Sequence, residues 1–393
     1  MDKVHIVITG RRNTGKSSLV NAILGQSKAI VSDTPGTTTD PVKKSYEIPG
    51  VASVIFVDTA GIDDKGTLGT LRIEKTLEAI QQADAGILVI THNRFGKYEK
   101  ELIRKFQTSK QPFLIVHNQS DLQPLSTELE NFLTTQYNVP VIRFSAYESR
   151  SDTLIKAISR IIPAAGQKSL LNGLTQPGDM VMLVTPIDSE APTGRLILPQ
   201  VQMLRTILDR QCISLVMQPQ QIESYFTRSS LRPDLVITDS QAFREVAALI
   251  PPEIPLTSFS IVLAHGKGNF EKYLEGTPAI DKLRDGDRIL LLESCSHHVS
   301  CEDIGRIKIP ALLQRYTGKH LNFDFVAGSG TPQTPWSDYA LIIQCGGCMM
   351  TTRQLHCHLQ PAINAGIPVS NYGMTLAYIQ GIFERVTAPF RKK

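Results

Sequence analysis

Three cysteines and a histidine occur at spacings that suit metal binding. Cys295 and His297 form a Cys-x-His pair, and Cys345 and Cys348 form a Cys-x-x-Cys pair farther along the chain. Thiolates are soft anionic donors that iron–sulfur clusters and zinc both accept. The spacing therefore predicts a metal site to which two separate segments of the chain contribute.

A second group of residues has the pattern of a phosphate-binding loop. Residues 10–17 read GRRNTGKS, the full G-x-x-x-x-G-K-S motif, and they follow an apolar run. In such a loop the backbone N–H groups surround the phosphates, the lysine reaches the β- and γ-phosphates, and the serine ligates Mg²⁺. The residues expected to bind nucleotide here are Gly10, Asn13, Thr14, Gly15, Lys16, Ser17 and Ser18.

Two later segments have the spacing of nucleotide-sensing switches. Thr38 is expected to close on Mg²⁺, Asp58 to hold Mg²⁺ through water, and the Gly61 N–H to reach the γ-phosphate. With Lys16 these three residues form the predicted catalytic set. Ile62 stands where Ras-like proteins carry the glutamine that orients the attacking water, so hydrolysis must be arranged differently.

The run Asn118-Gln119-Ser120-Asp121 and the later pair formed by Ser145 and Ala146 resemble the guanine-reading motifs of GTPases. The resemblance implies that Asp121 accepts hydrogen bonds from guanine N1 and N2. Gln119 replaces the usual lysine. We therefore expect the selectivity for guanine to be retained and the affinity for the nucleotide to be weaker.

This third of the chain resembles the translation-factor class of GTPases that includes MnmE. That resemblance implies that Asn13 holds a potassium ion and that K⁺ stimulates a slow GTPase. The alternative is that Asn13 only caps the loop.

The composition fits an α/β protein of two or three domains. The chain has 393 residues, 41% of them hydrophobic, six cysteines and a net charge of +4. Few cysteines, no apolar run of membrane-spanning length and no secretion signal indicate a cytoplasmic protein without disulfides or a membrane partner. Lysine and arginine are spread along the sequence, which predicts no concentrated basic patch and argues against a nucleic-acid partner.

Breaks in the pattern near residues 163–166 and 176–178 predict three domains. Residues 1–165 form the P-loop GTPase domain, 176–262 a small parallel α/β domain, and 266–393 an α/β metal domain. The middle domain has no phosphate loop, and its Cys212 is expected to be a buried small hydrophobe, so dimerisation is its predicted role. Asp188 and Arg195 could contact substrate, but surface solvation explains them as well.

In the last domain both thiolate groups follow apolar strand-like runs. Cys295 follows 288–292, and Cys345 and Cys348 follow 340–343 and precede a helix expected near Thr351. The carboxyl ends of parallel strands form the ligand crevice of an open sheet. The wide separation of the two cysteine groups favours a cluster over structural zinc, although a Cys₃His zinc site stays the rival.

The whole chain resembles the family of FeFe-hydrogenase maturation GTPases, HydF, whose signature is Cys-x-His and, after a gap, His-Cys-x-x-Cys. Here 46 residues (298–343) follow His297 before Gln344, which replaces the second histidine. The resemblance implies a 4Fe–4S cluster on Cys295, Cys345 and Cys348, with an exchangeable ligand on one iron. Candidates for that position are His297, His298 and Glu302, although Glu302 can equally cap the following helix.

The resemblance also implies the biological role. The family acts as a scaffold that receives a diiron subcluster precursor from the radical-SAM maturases HydE and HydG and delivers it to apo-hydrogenase HydA. A homodimer is expected. The alternative is an RNA- or ribosome-associated GTPase with a structural zinc domain, but the chain shows no KH-type loop after the GTPase segment.

Overall fold

The computed structural model describes residues 3–25, 33–34, 41–48, 51–62, 67–146, 151–162, 169–187, 196–294, 303–328 and 330–391. It divides into two compact units, Met1–Gly166 and Gln167–Lys393. This division does not test the three expected domains, so their bounds stay predictions: 1–165, 176–262 and 266–393.

The first unit contains a sheet of seven strands in the order β2-β3-β4-β1-β5-β6-β7. Strand β1 pairs in parallel with β4 and β5, whereas β3 runs antiparallel to β4. The elements are β1 (Val4–Gly10), α1 (Lys16–Gly25), β2 (Asp33–Thr34), β3 (Val42–Ile48), β4 (Ala52–Asp58), α2 (Thr67–Gln82), β5 (Ala85–Ile90), α3 (Lys97–Thr108), β6 (Phe113–His117), α4 (Thr127–Tyr137), β7 (Val141–Arg143) and α5 (Asp152–Ile161).

Helices cover both faces of this sheet, and the alternation of side chains along a strand fills two cores. Ile6 and Ile8 of β1 belong to the core that contains α1 and α5. Val7, between them, belongs to the other core, with Leu102 and Phe106 of α3. The apolar run before the phosphate loop is therefore a strand buried on both faces.

The second unit contains two parallel sheets of four strands each, in the orders β11-β10-β8-β9 and β13-β12-β14-β15. The first sheet and its helices comprise β8 (Met180–Val184), α6 (Leu198–Asp209), β9 (Ile213–Met217), α7 (Ile222–Arg228), β10 (Leu235–Thr238), α8 (Phe243–Leu249), β11 (Leu256–Ser258) and α9 (Phe259–Lys267).

The second sheet and its helices comprise α10 (Phe270–Gly276), β12 (Arg288–Glu293), a π-helix (Ile304–Lys308), α11 (Ile309–Thr317), β13 (Asn322–Ala327), β14 (Leu341–Gln344), α12 (Thr352–Asn364), β15 (Val369–Asn371), α13 (Tyr372–Ile379) and α14 (Phe383–Thr387). One hydrophobic core joins both sheets, since it contains Met182 of β8 and Leu290 of β12. The α/β class expected from the sequence is confirmed.

Two local expectations need correction. The run 256–259 predicts a strand, but β11 ends at Ser258 and Phe259 begins α9, because Ser258 caps that helix by accepting a hydrogen bond from the Ile261 N–H. The expectation of no concentrated basic patch is wrong for α3, whose surface gathers Lys97, Lys100, Arg104 and Lys105 around Glu101. The helical period brings residues that are spread in sequence onto one face.

Cys212 is buried, as expected, and its thiol contacts the carbonyl oxygen of Gln176 at 3.1 Å. Asp188 and Arg195 lie outside the described residues. None of the helices in the described ranges is long and apolar enough to cross a membrane.

Candidate nucleotide and thiolate sites

The phosphate loop joins the carboxyl end of β1 to the amino end of α1. Lys16 begins α1, is buried, and donates from Nζ to the carbonyl oxygens of Arg11 at 2.7 Å and Gly10 at 3.4 Å. Gly15 has φ +78°, and a Cβ there would clash with the side-chain amide of Asn118. The position therefore requires glycine, which adopts a left-handed backbone conformation and has no side chain, as the motif predicts.

The two expected Mg²⁺ ligands from different elements lie side by side. Ser17 Oγ donates to Asp58 Oδ2 at 2.5 Å, and no partner for Asp58 Oδ1, which is buried, lies among the described residues. Burial raises the pKa of Asp58, while the Ser17 hydrogen bond and the charges of Lys16 and Lys44 oppose that rise. A hydrated divalent cation would satisfy the buried oxygen and favour the carboxylate, so the site fits Mg²⁺.

The segment after Asp58 returns to the phosphate loop. A Cβ on Gly61 would lie 2.5 Å from the backbone nitrogen of Arg12, and the Ile62 N–H donates to the Gly10 carbonyl at 3.3 Å. The Ile62 side chain is buried in the core with Val7. It therefore faces away from any position where water could attack the γ-phosphate.

Asn118, after β6, ties the guanine-reading segment to the phosphate loop. Its Nδ2 donates to the carbonyl of Thr14 at 2.9 Å and to that of Gly15 at 3.3 Å. Ser145 and Ala146 follow strand β7, and Ser145 is buried while Ala146 is half-buried. Asp121 is exposed and lies on the same connection as Asn118. The arrangement leaves the Asp121 carboxylate accessible to a base.

Other residues predicted from the loop have distinct surroundings. Asn13 has φ +59° and an exposed side chain that makes no hydrogen bond with any described residue. Thr14 Oγ1 donates to the Arg11 carbonyl at 3.0 Å, and Ser18 is exposed. Thr38 lies outside the described residues.

An ion pair that the sequence reasoning missed supports the loop from α3. Arg11 donates from Nε and Nη2 to the two carboxylate oxygens of Glu99 at 2.6 and 2.8 Å. Glu99 is only 2% exposed and also accepts from the Gly96 N–H at 2.7 Å. Burial opposes ionisation of Glu99, yet the hydrogen bonds from Arg11 and Gly96 leave its pKa lowered. The carboxylate is therefore charged and fixed beneath the loop.

The thiolate site lies at the carboxyl edge of the last sheet. The order β13-β12-β14-β15 makes β12 and β14 neighbours, although the chain passes through β13 between them. Strand order reverses between these two strands, and such a switch point opens a ligand crevice. Ser294, directly after β12, and Cys345, directly after β14, therefore lie at the same edge of the sheet, and Cys295 is the next residue of the sequence after Ser294.

Cys345 is held by hydrogen bonds from Ser294, the residue after β12, and from Gly347. The Ser294 N–H lies 3.1 Å and the Ser294 hydroxyl 2.7 Å from Cys345 Sγ, and the Gly347 N–H also donates to it. Burial raises the pKa of Cys345, while these donors oppose the rise. N–H donors to sulfur are a standard stabilisation of metal-bound thiolates.

Cys348 shares the same environment. Burial and the neighbouring Cys345 raise its pKa to about 11, while the cation of Lys267 opposes the rise. Lys267, at the end of α9, is only 4% exposed. Two adjacent thiols with raised pKa values keep their protons until a metal replaces them, and a buried cation offsets the charge that results.

Gly347, between these cysteines, has φ +73°, and a Cβ there would lie 2.6 Å from Leu355 Cδ1. The Thr351 side chain caps α12 by accepting a hydrogen bond from the Gln354 N–H, so the helix begins where the sequence predicted. No group of three or more metal-binding side chains is complete within the described ranges. The other expected ligands, Cys295, His297, His298 and Glu302, lie outside them, but the two described thiols and their donors suit a soft metal.

These features define the class of the protein: a P-loop GTPase domain followed by two parallel α/β sheets, the last with a thiol-bearing crevice. Residues 5–119 match the family described as 50S ribosome-binding GTPase. Residues 170–268 match the hydrogen maturase F dimerization domain, and residues 271–389 match the hydrogen maturase F tetramerization domain. The last two matches cover more than half of the chain.

The chain belongs to the hydrogen maturase F (HydF) family. Its GTPase domain is a GTP-binding domain, and the descriptions of the two other domains imply self-association.

Two curated GTPases are similar to this chain over less than half of its length. The tRNA modification GTPase MnmE of Syntrophobacter fumaroxidans is 34% identical over 144 residues, 36% of this chain and 30% of that protein. GTPase Der of Solidesulfovibrio magneticus is 32% identical over 173 residues, 41% of this chain and 37% of that protein. The chain thus spans about a third of the length of these relatives. Era of Aquifex aeolicus bound to GDP.AlF4- is 20% identical, with a TM-score of 0.36, and covers 63% of this chain and 98% of its own.

Proposed function

We propose that this protein is a hydrogenase maturation factor that hydrolyses GTP and carries a 4Fe–4S cluster as a scaffold. The observation that carries the proposal is the meeting of two strand ends: the backbone N–H of Ser294, directly before Cys295, donates a hydrogen bond to Cys345 Sγ, and the Ser294 hydroxyl lies 2.7 Å from the same sulfur. Cys295, Cys345 and Cys348 would hold the cluster, which supplies an iron free of cysteine. A diiron precursor delivered by HydE and HydG would be the substrate passed to HydA.

Binding of GTP and Mg²⁺ would use the residues of the first unit. Lys16, now bonded to loop carbonyls, would turn to the β- and γ-phosphates, and Ser17, Asp58 and Thr38 would hold Mg²⁺. The Gly61 N–H would respond to the γ-phosphate, while Asn118, Asp121, Ser145 and Ala146 would form the guanine pocket.

Potassium is proposed as the source of the positive charge that arginine fingers supply elsewhere. The exposed Asn13 side chain has no hydrogen-bond partner among the described residues, which supports a ligand role over a capping role. The burial of Ile62 supports the same arrangement, because this apolar side chain cannot orient water.

GTP turnover would control association with partner proteins. The switch segments and the thiols belong to separate units. We therefore expect GTP turnover to act by changing the surface that binds partner proteins. Equal affinities for HydE, HydG and HydA in the GTP and GDP states would exclude this coupling.

Anaerobic reconstitution with iron and sulfide tests the scaffold. We expect the wild type to show a reducible 4Fe–4S spectrum by electron paramagnetic resonance (EPR), and C345S/C348S to lose it. C212S/C357S, which replaces the buried Cys212 and the half-buried Cys357 of α12, is a matched control and should keep the cluster. Stoichiometric zinc without bound iron would overturn the proposal and favour a GTPase with a structural zinc domain.

A further inference from the structure

Helix α3 of the first unit carries a basic face, formed by Lys97, Lys100, Arg104 and Lys105. The first three are exposed and Lys105 is half-buried. Together with the exposed Glu101 they line one depression of the surface. Positions three and four apart are neighbours on a helix, so the row from Lys97 to Arg104 is continuous and about 10 Å long.

The opposite face of α3 holds these cations in place. Leu102, Ile103 and Phe106 are fully buried in the core of the first unit. At the amino end of the helix, the Gly96 N–H donates to the Glu99 carboxylate at 2.7 Å. The helix therefore presents its basic face on a fixed backbone, which lowers the entropy lost when a partner binds.

The acid at position 99 does not neutralise the basic face. The two carboxylate oxygens of Glu99 accept from Arg11 at 2.6 and 2.8 Å, so its charge is already compensated by the phosphate loop. No side chain of the basic face forms a hydrogen bond or ion pair with a described residue. Like charges three and four positions apart repel each other, and a bound anion would relieve that repulsion.

The residues among the cations favour an acidic protein segment over nucleic acid as the occupant. Glu101 would repel a continuous phosphate backbone, whereas a protein segment can place a polar or basic side chain against it. Neither aromatic ring of α3 is available to stack on a base. Tyr98 is half-buried with the Arg11 guanidinium 5.0 Å from its ring centroid, and Phe106 is buried.

We propose that the basic face of α3 is a docking surface for an acidic segment of a partner protein. Acidic residues along about two turns of a helix match the length of the row from Lys97 to Arg104. The ion pairs formed would be exposed to solvent, so binding is reversible and weakens as salt is added. The inference requires neither the cluster nor GTP hydrolysis, and a failure of the proposed function would leave it standing.

Fluorescence anisotropy of a labelled deca-glutamate peptide, titrated with full-length protein at low salt, tests this surface. The wild type should bind the peptide, and K100A/R104A should bind it about fivefold more weakly, the effect of two lost exposed ion pairs. K156A/R160A is the matched control, because it removes the same residue types at the same spacing from exposed positions of α5. It should bind as the wild type does.

Glu101→Gln separates charge complementarity from damage to the fold. Removal of this carboxylate should tighten peptide binding about twofold, a gain that misfolding does not produce. Absence of peptide binding by the wild type would overturn the inference, as would equal weakening in K100A/R104A and K156A/R160A. Tighter binding of an oligouridylate of equal charge, with the same loss in K100A/R104A, would overturn it in favour of a nucleic-acid surface.

Discussion

Glu293 and Arg306 form a two-pronged ion pair across the segment that carries Cys295. Arg306 Nη2 lies 2.7 Å from Glu293 Oε2 and Arg306 Nε lies 3.0 Å from Oε1. Glu293 ends β12 and is 3% exposed, whereas Arg306 lies in the π-helix. The pair therefore joins the two ends of residues 295–302.

Breaking this pair should loosen the site. Glu293→Gln removes the charge from a buried carboxylate and should lower the free energy of unfolding by about 2 kcal/mol. Release of iron to a chelator, followed by absorbance, should become faster than in the wild type. Glu384→Gln breaks a surface ion pair with Arg391 and serves as the control, with an expected effect below about 1 kcal/mol. Equal iron release in both variants would contradict the assigned role.

The ion pair of Arg11 with Glu99 predicts a pH-dependent contribution to stability. Its effect should be complete above the ordinary Glu pKa of 4.5 and should disappear as the pH falls below that value toward the lowered pKa of the folded state. Glu99→Gln should cost about 2 kcal/mol at pH 7 and progressively less below pH 4.5 in denaturant titrations. Glu128→Gln, exposed on α4, is the control for an exposed carboxylate and should cost about 0.5 kcal/mol or less at pH 7. A cost independent of pH would refute the ion-pair explanation.

Asn13→Ala tests the potassium site. If Asn13 supplies a ligand, the wild type should hydrolyse GTP about tenfold or more faster in KCl than in NaCl, and the variant should lose that difference. The amide of Asn21 is exposed on α1 and accepts from Lys44 at 3.0 Å, so Asn21→Ala is the matched control. Retained K⁺ stimulation in Asn13→Ala would favour the capping alternative.

Asp121→Asn tests the reading of guanine. A carboxylate accepts from guanine N1 and N2, but an amide places a donor against the N2 donor, so GTP affinity should fall by about a hundredfold or more. Xanthosine triphosphate, which has an acceptor at that position, should then bind better than GTP. Fluorescent nucleotide titration measures both affinities. Asp152→Asn, exposed in the first turn of α5, should leave them unchanged.

The contiguous motifs could be predicted from the sequence because the chain itself sets their geometry. A buried strand, the glycines of the phosphate loop and the helix at Lys16 follow from residues 4–25 alone. The crevice for Cys345 was also predictable, since strand ends of a parallel sheet meet at one edge.

The supporting residues could not be predicted, because only the tertiary fold brings them together. Arg11 and Glu99 are 88 positions apart, and Tyr273 and Gln344 are 71 apart. No periodicity links such pairs. One signal was present in the sequence, since Gln344 replaces the family histidine next to the predicted ligand Cys345. In the structure the Gln344 side chain accepts a hydrogen bond from the Tyr273 hydroxyl.

Activation of apo-hydrogenase tests the central claim most directly. Wild-type protein loaded by HydE and HydG should, after repurification, confer hydrogen evolution on purified apo-HydA. The C345S/C348S variant treated identically should confer none, while the C212S/C357S control should match the wild type. Equal activation by the C345S/C348S variant would contradict the claim that the thiol crevice carries the diiron precursor.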